Sequence, residues 1–216
     1  TDSTYSKSFI KTHKNTNISY TPTGENKLRY PTEKIFPIKL YEMCLTQDQI
    51  NALNALEKIN SKSHILITAD RGRGKSSVIG IGLTGIGYNS EELLSVIISS
   101  PEKENVLELF NFLKNSHDKL GITYRFDEKS LVFKSPIIKA AYKNPFDVMH
   151  SEADLLVIDE AAGLPFPLLV EFLNKFSKII FSTTIHGYEG TGRSFSVRFM
   201  SLLRNKNPSF LWIKLK

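Results

Sequence analysis

Ile65-Leu66-Ile67-Thr68-Ala69-Asp70-Arg71-Gly72-Arg73-Gly74-Lys75-Ser76 is the stretch on which the fold turns. A short apolar, β-branched segment runs into a glycine-rich turn, and a helix is expected from Lys75. Residues 69 to 76 keep the spacing of the phosphate loop, G-x-x-x-x-G-K-[ST], with Ala69 standing at the first glycine position. Gly72 and Gly74 let the backbone turn its N–H groups inward around an anion. The helix that follows adds the positive end of its dipole. Lys75 suits β- and γ-phosphate oxygens, and the Ser76 hydroxyl suits Mg2+. Arg71 and Arg73 add positive charge at the mouth. The expected ligand is ATP with Mg2+. A glycine- and arginine-rich surface turn would share this composition, so a second motif has to separate the two readings.

That motif is Leu155-Leu156-Val157-Ile158-Asp159-Glu160, an apolar strand ending in two carboxylates. Asp159 is expected to hold Mg2+ and Glu160 to orient and deprotonate the attacking water. The pair alone could equally cap a buried strand with polar groups. Downstream of a phosphate loop, the catalytic reading is favoured. Thr183 and Thr184 end the next strand, where their hydroxyls either sense a γ-phosphate or simply fill a β-branched strand. Gly187-Tyr188-Glu189-Gly190-Thr191-Gly192-Arg193 reads as a flexible loop, with Arg193 the candidate for a cis-acting arginine that meets transferring charge.

Outward from these motifs the chain alternates strands and helices. Thr46 is placed to cap a helix running to about Ile59, with Gln49 three residues on, as in a capping box. Strands are expected at 65–68, 94–98, 131–133, 136–138, 155–158 and 179–181, and at the end over 209–216. Helices are expected after Lys75, from Pro101, over 165–176 and over 194–203. Apolar strands alternating with helices imply an α/β fold: a three-layer P-loop NTPase, RecA-like, with a mainly parallel sheet covered on both faces. Ligands of such sheets bind at the carboxyl ends of the strands, where both motifs fall. Residues 1–40 are polar and broken by Pro22, Pro31 and Pro37, and read as an N-terminal arm or linker before an ATPase domain over 41–216. The chain starts without Met and ends on a strand that has no following turn. It is expected to be a fragment of a longer multidomain chain.

With 216 residues and 41% hydrophobic residues the chain has enough for one buried core. The net charge of +6 suits a nucleic-acid partner without requiring one. A single cysteine, Cys44, rules out an internal disulfide and fits a reducing, cytoplasmic setting. The five histidines show no metal-ligand spacing. No apolar run approaches the ~20 residues needed to span a bilayer. Gly80-Ile81-Gly82-Leu83-Thr84-Gly85 matches a dinucleotide fingerprint, but it lies inside the helix after the phosphate loop, not after a strand. Small residues there suit close helix–sheet packing instead. Arg71 to Ser76 also nearly matches an acetyl-CoA loop, a match that Ser76 breaks and in which the acidic pair has no role.

Three segments together carry a family resemblance: Thr68 to Ser76, Ile158-Asp159-Glu160-Ala161-Ala162-Gly163-Leu164-Pro165, and Thr183-Thr184-Ile185-His186-Gly187-Tyr188-Glu189-Gly190-Thr191-Gly192-Arg193. Over residues 40 to 216 the chain resembles the helicase-like ATPase domain of RNA cytidine acetyltransferases. The resemblance implies a parent that makes N4-acetylcytidine in RNA, tRNA in particular, from acetyl-CoA with ATP hydrolysis. It implies an adenine-reading role for Gln49, phosphate contacts from Asp70, Arg71, Gly72, Arg73, Gly74, Lys75, Ser76 and Ser77, and an ATP contact from Arg193. Lys75, Asp159, Glu160 and Arg193 are then the expected catalytic set, with Ser76 and Asp159 at the metal. Ser100-Pro101 falls where related helicases touch the nucleic-acid backbone. Acetyl-CoA would belong to another domain of the parent. A fragment of a nucleic-acid helicase or translocase, and a nucleotide-gated RNA-binding module without turnover, stay open beside this reading.

Overall fold

The computed structural model describes residues 28–59, 63–184, 191–207 and 210–216, with residues 191–197 described by backbone alone. Its strands are β1 (Ser63–Ala69), β2 (Leu94–Ser99), β3 (Arg125–Asp127), β4 (Val132–Lys134), β5 (Ile138–Tyr142), β6 (Leu155–Ile158), β7 (Lys178–Thr184) and β8 (Leu211–Leu215). They form one sheet in the order β3-β4-β5-β2-β6-β7-β1-β8. Neighbours from β5 through β8 are parallel, and β3 and β4 add an antiparallel extension at one side. The mainly parallel three-layer expectation therefore holds. The strand missed in the sequence is β3, three residues of charged and aromatic character that show no apolar run.

Alternate residues of the central strands feed two cores. Ile65, Ile67, Val96, Ile98, Leu155, Val157 and Ile180 pack on one face, under α1 (Ile38–Tyr41), α2 (Gln47–Leu56), α3 (Lys75–Tyr88) and α4 (Leu107–Leu120). Leu66, Ile97, Leu156, Ile158, Ile179 and Phe181 pack on the other, under α5 (Phe166–Lys175) and α6 (Thr191–Lys206). The helix after the phosphate loop, α3, is buried on nearly all sides. Its glycines allow this: a Cβ at Gly80 would meet the Leu109 carbonyl at 2.5 Å, and one at Gly82 would strike the Leu56 side chain. The close approaches expected between helix and sheet are thus largely between helices.

Two expectations shift in detail. Glu102 is extended (φ −121°, ψ 138°), so the helix expected from Pro101 starts as a single 3-10 turn, Lys103–Val106, before α4. Phe36, Leu40 and Tyr41, read as the end of a polar arm and the first residue after it, are buried in the core. The Phe36 backbone N–H and the Tyr41 hydroxyl both donate to Glu57 Oε1, which ties this segment to the end of α2. Among the described residues no helix is long and apolar enough to cross a membrane.

Candidate functional site

The phosphate loop connects β1 to α3 at the carboxyl edge of the sheet. Gly72 (φ 79°) and Gly74 (φ 84°) both sit in the left-handed region, where a Cβ is costly. Gly74 is also crowded from outside by the Gln49 side chain. Gln49 forms half of the expected capping box: its N–H donates to Thr46 Oγ1, but its side chain goes elsewhere. Oε1 accepts from Leu45 N at 2.7 Å, and Nε2 donates to the Arg73 carbonyl at 3.5 Å. Gln49 thereby buttresses the loop from the α2 side. Ser77 turns back, its hydroxyl donating to the Gly74 carbonyl at 2.7 Å. Asp70, Arg71 and Arg73 lie exposed at the rim.

Sheet order brings the acidic pair to this loop. Only β7 separates β1 from β6, so the carboxyl ends of these strands lie side by side. Asp159 is 2% exposed and takes Ser76 Oγ on Oδ2 at 3.0 Å. Ser182 Oγ and Glu160 N donate to its Oδ1. Burial raises the Asp159 carboxyl above the usual carboxylate range. The neighbouring Glu160 charge adds to the rise, while the Ser182 and Ser76 hydrogen bonds and the Lys75 charge oppose it.

Adjacent strand residues point to opposite faces, which would part Asp159 from Glu160. The chain resolves this at Glu160 itself, which takes a left-handed conformation (φ 50°, ψ 50°), rare for a residue with a Cβ. Its carboxylate is thereby brought to β7, where Thr184 donates to it from both N (3.3 Å) and Oγ1 (2.8 Å). Lys75 Nζ donates to Thr184 Oγ1 at 2.9 Å and lies 3.5 Å from Glu160 Oε1. Lysine, threonine and glutamate thus form one bonded chain, and serine and aspartate a second beside it.

The two threonines separate by strand alternation. Thr184 joins the network. Thr183 faces the other side of the sheet, buried, with its Oγ1 lacking a hydrogen-bond partner among the described residues. Ser182 is the residue that the sequence reading passed over. It lies two positions before Thr184, hence on the same face, which was the available signal. Residues 185–190, most of the glycine-rich loop, lie outside the described residues. The backbone of Arg193 is in the first turn of α6, so the helix begins earlier than expected and Arg193 is a helical residue. Ser100 and Pro101 follow β2 at the same edge. The Ser100 hydroxyl donates to the Glu102 carbonyl, and a Cβ at Gly163 would fall 2.7 Å from the Pro101 ring. The turn after the acidic pair is therefore packed on the Ser100–Pro101 turn.

Among the described residues no group of three or more His, Cys, Asp or Glu side chains is placed to hold a metal. Ser76 Oγ and Asp159 Oδ2 offer two adjacent hard oxygen donors. That suits Mg2+, which takes one or two protein ligands and completes its shell with phosphates and water.

With this geometry in place, residues 66–216 match the family model of the RNA cytidine acetyltransferase NAT10/TcmA helicase domain. The chain belongs to this family. Its similar relatives include the tRNA(Met) cytidine acetyltransferases TmcA of Thermococcus kodakarensis, 42% identical over 180 residues, and of Methanopyrus kandleri, 39% identical over 183 residues. Each alignment covers 82% of this chain but only 22% and 21% of the relative, so the chain spans about a fifth of their length. Among solved structures it resembles the large terminase of a thermophilic bacteriophage (TM-score 0.64, 14% identity, 81% of this chain and 46% of that one), which has also been solved with ATP-gamma-S. At that identity the likeness is one of fold, a P-loop α/β architecture.

Proposed function

We propose that this chain is the ATP-binding and ATP-hydrolysing module of an RNA N4-cytidine acetyltransferase, coupling hydrolysis to RNA modification by the rest of its parent. The observation that carries the reading is the pair of bonded chains, Lys75–Thr184–Glu160 and Ser76–Asp159, which joins the phosphate loop to the acidic strand end. The amides of residues 70–76 receive the phosphates, and Lys75 reaches their β- and γ-oxygens. Gln49 sits at the loop's flank, where it reads the adenine as the family resemblance implies. Ser76 and Asp159 would hold Mg2+, which when bound would neutralise phosphate charge. Ser182 fixes the Asp159 carboxylate. Phosphates compete with Glu160 for Lys75, and the carboxylate so released accepts the proton of the attacking water. Arg193, from the start of α6, meets the developing charge.

RNA is the proposed partner, tRNA the proposed class, supported by the names of the relatives and the net charge of +6. The single cysteine fits a cytoplasmic setting. Acetyl-CoA belongs to another domain of the parent.

Lys75→Ala is expected to abolish binding of a fluorescent ATP analogue. Glu160→Gln is expected to keep binding and lose phosphate release, measured with and without RNA. Wild-type affinity in Lys75→Ala would sink the phosphate-loop assignment. Wild-type turnover in Glu160→Gln would remove Glu160 as the base, and a wild-type chain that binds ATP but never releases phosphate, with or without RNA, would leave a nucleotide-gated binding module.

A further inference from the structure

The antiparallel extension carries three cations in register. Arg125 on β3 pairs with Lys134 on β4, and Lys134 with Lys139 on β5. Directly paired residues project to one face, so the three form a row about 10 Å long at a strand spacing of about 4.8 Å. All three are exposed. Alternate residues turn the other way: Phe126, Phe133 and Ala140 face α4, and Phe126 stacks on Phe110 at 5.3 Å. One face of the extension is thus covered by a helix and the other presents a cationic row to solvent.

Like charges directly opposite each other destabilise a sheet. None of the three has a carboxylate within 4.0 Å among the described residues. The nearby acids are engaged elsewhere. Asp127 accepts from Lys129 N, Ser130 N and Ser130 Oγ, Asp118 from the Tyr124 hydroxyl, and Asp154 from Ser95 N beyond Lys139 in the row. Protection of a sheet edge by charge accounts for Arg125, because β3 is the edge strand. It does not account for Lys134 and Lys139, whose strands are paired on both sides. At the outer end of the row the surface becomes concave. A cleft of about 400 Å3 is lined by Thr123, Tyr124, Arg125, Lys134, Ser135 and Pro136, combining two cations with hydroxyls and an aromatic ring.

We infer that this face binds the phosphate backbone of an RNA strand, with Arg125, Lys134 and Lys139 each neutralising a phosphate. The inference rests on the reading of RNA as the parent's partner and adds where on this chain the strand lies. Lys139 pairs with Ser95 near the amino end of β2, so the row lies at the opposite end of the parallel strands from the phosphate loop. RNA held there leaves the nucleotide site unobstructed.

The test compares Arg125→Gln/Lys134→Gln/Lys139→Gln with a charge-matched control, Lys39→Gln/Lys58→Gln/Lys119→Gln, which changes exposed lysines on the helical side. Affinity for a labelled single-stranded RNA is measured over a series of salt concentrations, and nucleotide binding is followed in parallel to show that the fold is kept. Each lost phosphate contact lowers the log–log salt slope by about 0.7, so the row variant is expected to lose about 2 from the slope and about a hundredfold in affinity at ~0.1 M salt. The control is expected to lose far less. Equal losses in both variants overturn the assignment. So does an unchanged slope in the row variant, which would leave an acidic protein surface as the occupant. A wild-type chain that binds nucleotide but no RNA at low salt would overturn the RNA reading itself.

Discussion

Gly74→Ala tests the geometry of the phosphate loop most sharply, because two independent costs meet at one atom. The first is conformational: φ is 84°, and a left-handed residue with a Cβ costs about 1–2 kcal/mol. The second is steric. The new Cβ would overlap Gln49 Nε2, with Gln49 Cδ at 3.2 Å and Ser77 Oγ at 2.8 Å. Gln49 must move, which breaks its 2.7 Å bond from Leu45 N, worth about 1 kcal/mol net. The single variant should therefore lose about 2–3 kcal/mol, or roughly 5 to 10 °C in melting temperature for a chain of this size. Gln49→Ala alone should cost about 1 kcal/mol. In the double variant the overlap with Gln49 is gone, while the conformational cost and the Ser77 contact are common to both Gly74 variants, so the pair should be about 1 kcal/mol less damaging than the sum of the singles. Thermal or denaturant unfolding of the four proteins measures this coupling, and titration with a fluorescent ATP analogue reports the loop itself. Additive stabilities, or a Gly74→Ala chain that melts and binds nucleotide like the wild type, would show that Gln49 does not hold the loop as described.

Two further outcomes concern the core. His117 is buried between α3, α4 and the strand extension, with Thr84 Oγ1 at 3.0 Å and the Leu113 carbonyl at 2.9 Å from Nδ1, and Ser135 Oγ at 3.0 Å from Nε2. Burial lowers its pKa from 6.5, partly offset by the Leu113 carbonyl and Asp118. The unfolded chain then takes the proton first, so this contribution is complete above about pH 6.5 and is lost below it, at up to ~1.4 kcal/mol per pH unit. His117→Asn should flatten the fall in melting temperature between pH ~7 and ~5, and an unchanged fall would exclude His117 as its source. Burial pushes the Cys44 thiol up to about 12, so native protein at neutral pH should react with a thiol reagent only as fast as it opens. Immediate stoichiometric labelling would contradict that packing.

The parts readable from sequence were those whose chemistry is local. The phosphate-loop spacing and the apolar run ending in Asp159-Glu160 each declare themselves within a few residues, and strand–helix alternation places both at the carboxyl edge. What escaped depends on partners distant in sequence. Phe36 and Tyr41 lie in a short apolar island within a polar stretch, and their burial follows from Gly85 and Glu57, which only the fold brings near. Arg125-Phe126-Asp127 carries too little apolar pattern to read as a strand, and becomes one by pairing with β4. The period of two along β7 is itself legible in the sequence. Once Thr184 is set against Glu160, Ser182 must share its face and Thr183 must not. That alternation assigns one hydroxyl to Asp159 and one to Glu160, while the third is buried in the opposite core. The left-handed turn at Glu160 completes the arrangement, because without it the two carboxylates would point to opposite faces and one face of β7 could not hold both.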